Sequence, residues 1–368
     1  MNTTEQQTLT LLRSALWQEA PDTATFPEDT DWGAILQCAF KQSIQGLVAS
    51  AIVELADSPG ANISEQVVQA CLRIQFATIG TSDLVSKVAT KVMEKLDRAG
   101  LYAVLIKGQG VARYYPHPQL RAAGDVDVYL SVDDTVKAGE LLKNCADRQE
   151  VLHYHPKHLN LEIDGIEVEL HRYMANLDDK TSYQAMQKWA DQLRESKAWQ
   201  RADIGPAEVN VPTPEFDAIF VFYHLWHHLL HGGVGLRQFC DWAMILHHYH
   251  GRLNIDVVRS VLKRTHLMHE WRVLGCILVE LLRLPEEELP FYRRRHRWLS
   301  RVYAKRILEG GNFGFYGEEA YENFMKRNTY KGVMHRLYTL QYFLRRDFYS
   351  MLLSPRATWN YMRSFYHF

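Results

Sequence analysis

The spacing of apolar residues changes twice along this chain, and these changes constrain its fold more than any other sequence feature. From Leu9 to about Gly100 apolar residues recur every three or four positions, which predicts helices. Between Gly100 and Val211 several short runs alternate apolar and polar residues, which is typical of strands. From Pro214 the helical spacing returns and lasts to the C-terminus. The sequence therefore predicts an α+β fold, with a small mixed β-sheet flanked by N-terminal and C-terminal helical regions.

We place the boundaries of these regions at residues 86 and 213. Residues 1–86 form the predicted N-terminal helical region, residues 87–213 the α+β core and residues 214–368 the C-terminal helical domain. Inside the core, strands are predicted at 101–106, 125–130, 159–163, 166–171 and 207–211, and short helices at 109–115 and 134–145. Asp164 and Gly165 form the two-residue signal of a type I′ hairpin turn between two of these strands.

The charge balance and the cysteine pattern exclude several classes of protein. Lys and Arg number 42 against 43 Asp and Glu, for a net charge of -1, so no global field favours nucleic acid or anionic lipid. Five scattered cysteines without CxxC spacing indicate neither a disulfide framework nor a zinc knuckle. The N-terminus lacks the pattern of a signal peptide, and the apolar runs are shorter than the roughly 20 residues of a membrane span. We therefore expect a cytoplasmic protein without a membrane span.

Residues 125–128 alternate aspartate and valine on a predicted strand. Because side chains of a strand alternate between its faces, Asp125 and Asp127 share one face and Val126 and Val128 the other. Strands disfavour Asp, and neighbouring like charges repel, so the arrangement is costly unless a cation lies between the carboxylates. The carboxylates either hold a divalent metal or line the solvent face of an edge strand.

The predicted strand at 166–171 adds a second polar face, formed by Glu167, Glu169 and His171. If the two strands are neighbours, three carboxylates can surround one or two Mg²⁺ ions, an oxygen environment that nucleotide phosphates also share. Cationic groups and glycine-freed backbone amides are supplied upstream by Lys107, Gly108 and Arg121. This neighbourhood favours the metal site over a solvated face.

The order of these motifs resembles that of the DNA polymerase beta-like nucleotidyltransferase superfamily. More closely, the motifs look like the signature of the uncharacterised bacterial nucleotidyltransferase family. The residues that carry this resemblance are Leu105-Ile106-Lys107-Gly108, Tyr115-Pro116, the segment 121–128 and Glu169-Leu170-His171. Downstream, Gly235-Leu236-Arg237-Gln238 with Asp241-Trp242 is similar to the helical region of that family.

The resemblance implies transfer of an NMP group from an NTP, with ATP as the expected nucleotide, and release of pyrophosphate. It implies that three acids are both the catalytic residues and the ligands of Mg²⁺ or Mn²⁺: Asp125, Asp127 and Glu169. Glu167 is the alternative third acid. It also implies that the nucleotide is bound by Lys107, Gly108, Arg121, His171 and Arg237. The acceptor, a small molecule, a sugar phosphate or a protein, is not identified by the sequence.

The turn at Lys107-Gly108 departs from the superfamily, whose usual turn is Gly-Ser. The serine of that turn helps to hold the triphosphate, and here Lys107 is expected to replace it by charge. The separation from Gly108 to Asp125 is also long, at 17 residues. An alternative function is therefore a non-catalytic module of the same fold that binds a nucleotide or a protein partner.

Histidines are concentrated between residues 223 and 231. His224, His228 and His231 lie four and three positions apart, on one stripe of a predicted helix. They could form a zinc site, but we favour a helical lid that contacts the acceptor or the phosphates. His153, His155 and His158 precede the predicted hairpin and are expected in a solvated loop.

Two further features allow a functional and a structural interpretation. Arg237 is a candidate substrate contact, because the glycine-rich loop before it lets backbone approach a ligand, but it could instead pair with Asp241 four residues on. The stretches 293–297 and 338–349 are rich in basic and aromatic residues, a composition that can stack on nucleic-acid bases or bind a membrane surface. A packed core with a solvated face explains them more simply, so we expect no nucleic-acid partner.

Overall fold

The α+β fold is confirmed by the structure, a computed structural model that describes residues 1–147, 158–174, 180–205, 207–231, 233–312, 351–356 and 358–359. His153, His155 and the stretch 338–349 lie outside these residues, as does the side chain of His158. All five cysteines are free thiols, as the sequence predicts.

Four helices form the N-terminal part: α1 (Thr3–Trp17), α2 (Trp32–Lys41), α3 (Gln45–Ala56) and α4 (Glu65–Arg98). α1, α2 and α4 each follow a capping residue whose side chain accepts a hydrogen bond from a backbone N–H of the first turn. These capping residues are Asn2, Asp31 and Ser64. α4 ends just before Gly100, whose φ of +72° is the left-handed conformation that commonly stops a helix. The predicted end of this helix is therefore confirmed.

The central sheet has four strands: β1 (Val104–Ile106), β2 (Val126–Tyr129), β3 (His158–Ile163) and β4 (Ile166–His171). Their order is β1-β2-β4-β3, and β2 runs parallel to β4 while the two outer pairs are antiparallel. Asp164 and Gly165 between β3 and β4 both have positive φ, at 52° and 76°, as a type I′ turn requires. The mixed sheet and its hairpin are thus as predicted.

The short helices of the core are α5 (Gly108–Ala112), between β1 and β2, and α6 (Val132–Lys143), between β2 and β3. β1 is shorter than predicted, because the Ala103 N–H bonds to the Leu101 carbonyl and turns the chain before the strand. A separate two-stranded sheet consists of β5 (Gln200–Ile204) and β6 (Ala207–Val211).

The remaining helices surround this core: α7 (Lys180–Glu195), α8 (Pro214–His231), α9 (Leu236–His248), α10 (Ile255–Arg264), α11 (Met268–Leu282) and α12 (Arg297–Gly310). Within the described ranges, no helix combines the length and the apolar character needed to cross a membrane.

Two apolar cores hold the molecule together, and α4 contributes to both. One core joins the N-terminal helices to the C-terminal ones, and there Trp17 Nε1 donates to the Leu282 carbonyl at 2.6 Å. The other packs the second half of α4 against the inner face of the four-stranded sheet. Residue 86, where we placed a boundary, lies inside α4. The domain limits themselves remain a prediction.

Candidate active site

The strand register brings three predicted site residues side by side. Asp127 of β2 lies opposite Glu169 of the parallel strand β4, and on its other side opposite Ile106, the last residue of β1. Lys107 follows Ile106 directly, so its ammonium reaches the same edge. Val126 and Val128 of β2 and Val168 and Leu170 of β4 face the second core, which fixes Asp127 and Glu169 on the opposite face.

One carboxylate oxygen is the centre of this cluster. Oδ1 of Asp127 lies 2.7 Å from Nζ of Lys107 and 2.7 Å from Nε2 of His171, and the same Nε2 lies 3.1 Å from Oε2 of Glu169. The Asp127 side chain is only 2% exposed, against 12% for Lys107 and 14% for His171. Two acidic and two basic side chains therefore neutralise one another in a largely buried site.

The protonation of the cluster follows from this proximity. Burial alone would raise the pKa of Asp127, but the Lys107 ammonium and the bond from His171 lower it. Burial would likewise lower the pKa of Lys107 and of His171, but the charges of Asp127 and its acidic neighbours raise the Lys107 pKa, and the bonds to Asp127 and Glu169 raise that of His171. Asp127 is accordingly a carboxylate at neutral pH, with a persistent cation beside it.

Among the described residues, Asp127, Glu169 and His171 form a group that could hold a metal, with one ligand atom of each within 4.8 Å of the others. Two carboxylates and an imidazole suit Mn²⁺, and the carboxylates alone suit Mg²⁺. The residues therefore fit a divalent metal. Lys107 occupies part of the same carboxylate, so a metal would have to share or displace that contact.

Asp125 and Glu167 take other positions. Asp125 lies one residue before β2 and outside the ligand group, although its charge acts on Lys107 and Arg237. Glu167 accepts a bond of 2.7 Å from Asn160 on β3. The possible ligand group thus contains Glu169 but neither Glu167 nor Asp125, and it contains His171, which we expected to bind the nucleotide. The ligand set itself remains a prediction.

The turn after β1 has an unusual backbone. Lys107 has φ 55° and ψ -148°, a conformation that a residue with a Cβ adopts at a cost of about 1–3 kcal/mol. Gly108 follows with φ +40°, and a Cβ there would contact the Asp125 carbonyl at 3.5 Å. The strained turn places the Lys107 ammonium beside Asp127, which indicates that this position is important for the site.

Arg121 is held by an acid that we assigned to another partner. Its Nε and Nη2 donate to the two carboxylate oxygens of Asp241, at 2.7 and 2.8 Å. Tyr115 Oη donates to the same carboxylate at 2.7 Å. Both members of the pair are buried. The guanidinium thus ties the loop before β2 to α9 and is not the open phosphate contact that we expected. This pairing was missed because it joins residues 120 positions apart.

Arg237 does not take the place of Arg121 on Asp241. Its Nη1 donates to the Ala122 carbonyl at 3.0 Å, and its buried Nε has no hydrogen-bond partner in the described part of the chain. Burial and the nearby Arg121 lower the Arg237 pKa. Arg237 therefore borders the loop that leads to Asp125 and retains one free N–H, as a substrate contact requires.

The α8 histidines approach the cluster from the helical side. Burial and then the charge of Lys107 push the pKa of His224 well below its usual value, so His224 is neutral at neutral pH. Its ring meets that of His228 edge-on, with 4.4 Å between centroids. No group of three potential metal ligands that includes an α8 histidine occurs among the described side chains, but that of His231 is not among them.

Comparisons with known proteins identify the family of the chain. Residues 28–282 match the model of a family described as uncharacterised nucleotidyltransferase. No curated protein matches the chain. Among solved structures it is similar to an antigenic nucleotidyltransferase-like protein from Paracoccidioides brasiliensis, at 14% identity and a TM-score of 0.28, over 50% of this chain and 89% of the other. A structural similarity this small supports no conclusion about function.

Proposed function

Because the chain belongs to the uncharacterised nucleotidyltransferase family, we propose that it moves the NMP group of an NTP to an acceptor and releases pyrophosphate. The observation that supports this most is the convergence of Asp127, Glu169 and His171 within 4.8 Å, beside the Lys107 ammonium. ATP is the proposed nucleotide, and the DNA polymerase beta-like superfamily is the proposed wider relationship.

In the proposed reaction an acceptor oxygen forms a bond to the α-phosphorus of the NTP. The bond from that phosphorus to the oxygen bridging the α- and β-phosphates breaks, and pyrophosphate leaves with that oxygen. Glu169 takes the proton of the acceptor hydroxyl, since it is the least buried carboxylate of the ligand group, at 20% exposure against 2% for Asp127.

Asp127, Glu169 and His171 would hold Mg²⁺ or Mn²⁺, with Asp125 adding negative charge at the edge of the site. When bound, the metal would neutralise phosphate charge and help to orient the reacting groups. Lys107 would leave Asp127 for a β- or γ-phosphate, and Gly108 would let backbone approach it. Arg237 would offer its free Nε–H, whereas Arg121 would hold the loop in place through Asp241.

Calorimetry with Mg²⁺ and the non-releasing analogue α,β-methylene ATP tests the binding step. We expect affinity in Mg²⁺, a large loss in EDTA and the same loss in Asp127→Asn. Asp203→Asn, an exposed aspartate on β5, is the matched control and should bind like the wild type. Equal affinity with and without metal would contradict the metal site.

Turnover is measured by pyrophosphate release from ATP in the presence of a metabolite and protein extract. Release in the wild type but not in Asp127→Asn would support the transfer reaction. The alternative function, a non-catalytic nucleotide-binding module, is favoured by one observation: Lys107 already neutralises Asp127 at 2.7 Å. Binding of the analogue without pyrophosphate release under any condition would support that alternative.

A further inference from the structure

An open groove of about 450 Å³ lies between α2, α3, the first half of α4 and the loop before β2. This volume is in the range of small-molecule sites, about 300–1,000 Å³. None of the residues that line it belongs to the Asp127 cluster, and the groove is therefore not the proposed nucleotide site.

The walls of the groove combine an apolar surface with a few polar groups. Phe40 of α2, 51% exposed, and Ile74 of α4 provide the apolar surface. Small alanines of α4 and of the loop keep the space between them open. Thr78 and Thr81 add hydroxyls along α4. Such a lining suits a ligand with a flat apolar body.

The charge at the groove is positive. Arg73 of α4 is exposed at its wall, and no carboxylate partner of Arg73 occurs in the part of the chain that the structure describes. α3 begins at Gln45, also in the wall, and no side chain caps that helix end, which carries a partial positive charge. The side-chain oxygen of Gln45 is buried, has no hydrogen-bond partner among the residues that the structure describes, and can accept a hydrogen bond from a ligand hydroxyl. The groove therefore complements an anionic group and a hydroxyl on the same molecule.

The groove also lies close to the candidate active site along the chain. Ala122 and Ala123 form its edge, and Asp125 is two residues further, a distance that the chain spans in at most about 7 Å. Gly124 between them is exposed, and a Cβ there would meet no atom within 4 Å. A ligand that extends from the groove over Gly124 toward Asp125 thus meets no side chain at residue 124.

We propose that this groove is the acceptor site, and that the acceptor is a small molecule with an apolar body, an anionic group for Arg73 and a reactive hydroxyl. The proposal rests on the proposed nucleotidyl transfer. It assigns the acceptor to the small-molecule class rather than to proteins, because a volume of about 450 Å³ is in the range of small-molecule sites.

The test of the groove uses 1-anilinonaphthalene-8-sulfonate, a fluorescent probe with an apolar aromatic body and one anionic group. We expect saturable binding to the wild type that is lost in Ala77→Trp, which fills the groove, and kept in Leu72→Trp, on another face of the same helix. Arg73→Gln should weaken binding about two- to fivefold, as for an exposed ion pair, whereas Arg98→Gln at the far end of α4 should not. Equal binding in Ala77→Trp and the wild type would overturn the groove as a ligand site.

The position of the groove next to the metal site is tested with paramagnetic Mn²⁺. Proton signals of the bound probe should broaden when Mn²⁺ is added to the wild type, but not with Mg²⁺ and not in Asp127→Asn. Bound probe and bound Mn²⁺ without broadening would overturn the acceptor role while leaving the proposed function intact. Failure of Mn²⁺ to bind, seen by electron paramagnetic resonance, would contradict the proposed function and with it the acceptor role. In that outcome the probe titration alone would still establish a ligand groove.

Discussion

Lys107 and Asp127 form a buried ion pair across neighbouring strands, with 2.7 Å between Nζ and Oδ1. The lysine reaches this position through a backbone conformation with φ 55°, which favours glycine. Its charge and its strain can therefore be separated by mutation.

Lys107→Ala should lower the free energy of unfolding by about 2–3 kcal/mol, because it leaves a buried carboxylate with His171 as its remaining basic partner. Lys107→Gly also removes the charge but relieves the strain, so it should cost about 1 kcal/mol less. Urea unfolding of both variants measures the difference. Lys137→Ala, at a 66% exposed lysine, should change little. An alanine variant at least as stable as the glycine variant would contradict the strain.

The pair Arg121 and Asp241 is expected to be strongly coupled. Arg121→Met and Asp241→Asn should each destabilise by about 3 kcal/mol, since each leaves one buried charge. The double variant should be more stable than their sum predicts by at least about 1.5 kcal/mol. The exposed pair Arg259 and Asp256 serves as the control and should show a coupling below about 0.5 kcal/mol. Additive effects at Arg121 and Asp241 would mean that the two hydrogen bonds do not act as a unit.

A buried acid outside the active site predicts the pH dependence of stability. Burial raises the pKa of Asp217 to about 7. Its Oδ1 has no hydrogen-bond partner within the described ranges, and its Oδ2 accepts a hydrogen bond from Tyr114 at 3.2 Å. Because the folded state then holds a proton that the unfolded state releases near pH 4, stability should fall as pH rises from about 4 to about 7. Asp217→Asn should remove this loss and stabilise the protein at pH 8 by about 2–4 kcal/mol.

Unfolding at pH 5 and at pH 8 checks this prediction. Asp256→Asn, at an aspartate that is 89% exposed, should keep the pH dependence of the wild type. The prediction is wrong if the wild type and Asp217→Asn lose equal stability between the two values of pH.

The third metal ligand can be identified by affinity for Mn²⁺. His171→Gln should weaken Mn²⁺ binding about tenfold or more, as even partners outside a ligand set commonly do. Asp125→Asn should weaken it less, because Asp125 lies outside the ligand group. Calorimetric titration of both variants decides between them, and a larger loss in Asp125→Asn would restore the ligand set that the sequence predicted.

Local patterns were sufficient to predict much of the fold. The alternation in β4 and the Asp164-Gly165 turn specify a hairpin within a dozen residues, and both occur as predicted. The same alternation put Glu169 and His171 on one face, so the position of His171 beside the two acids was accessible from the sequence. The pairing of Arg121 with Asp241 was not, because it depends on how α9 packs against the core, and no periodicity encodes that contact.

α4 has a consequence for the size of the acceptor in the proposed reaction. It is one continuous helix of 34 residues, about 50 Å long, with the groove on its first half and the four-stranded sheet on its second. The sheet carries Asp127, so one helix contributes both to the wall of the groove and to the packing of the strands of the candidate active site. Under the proposed function, an acceptor is therefore selected by its length as well as by its charge, because it must reach from Arg73 in the groove to the cluster at Asp127.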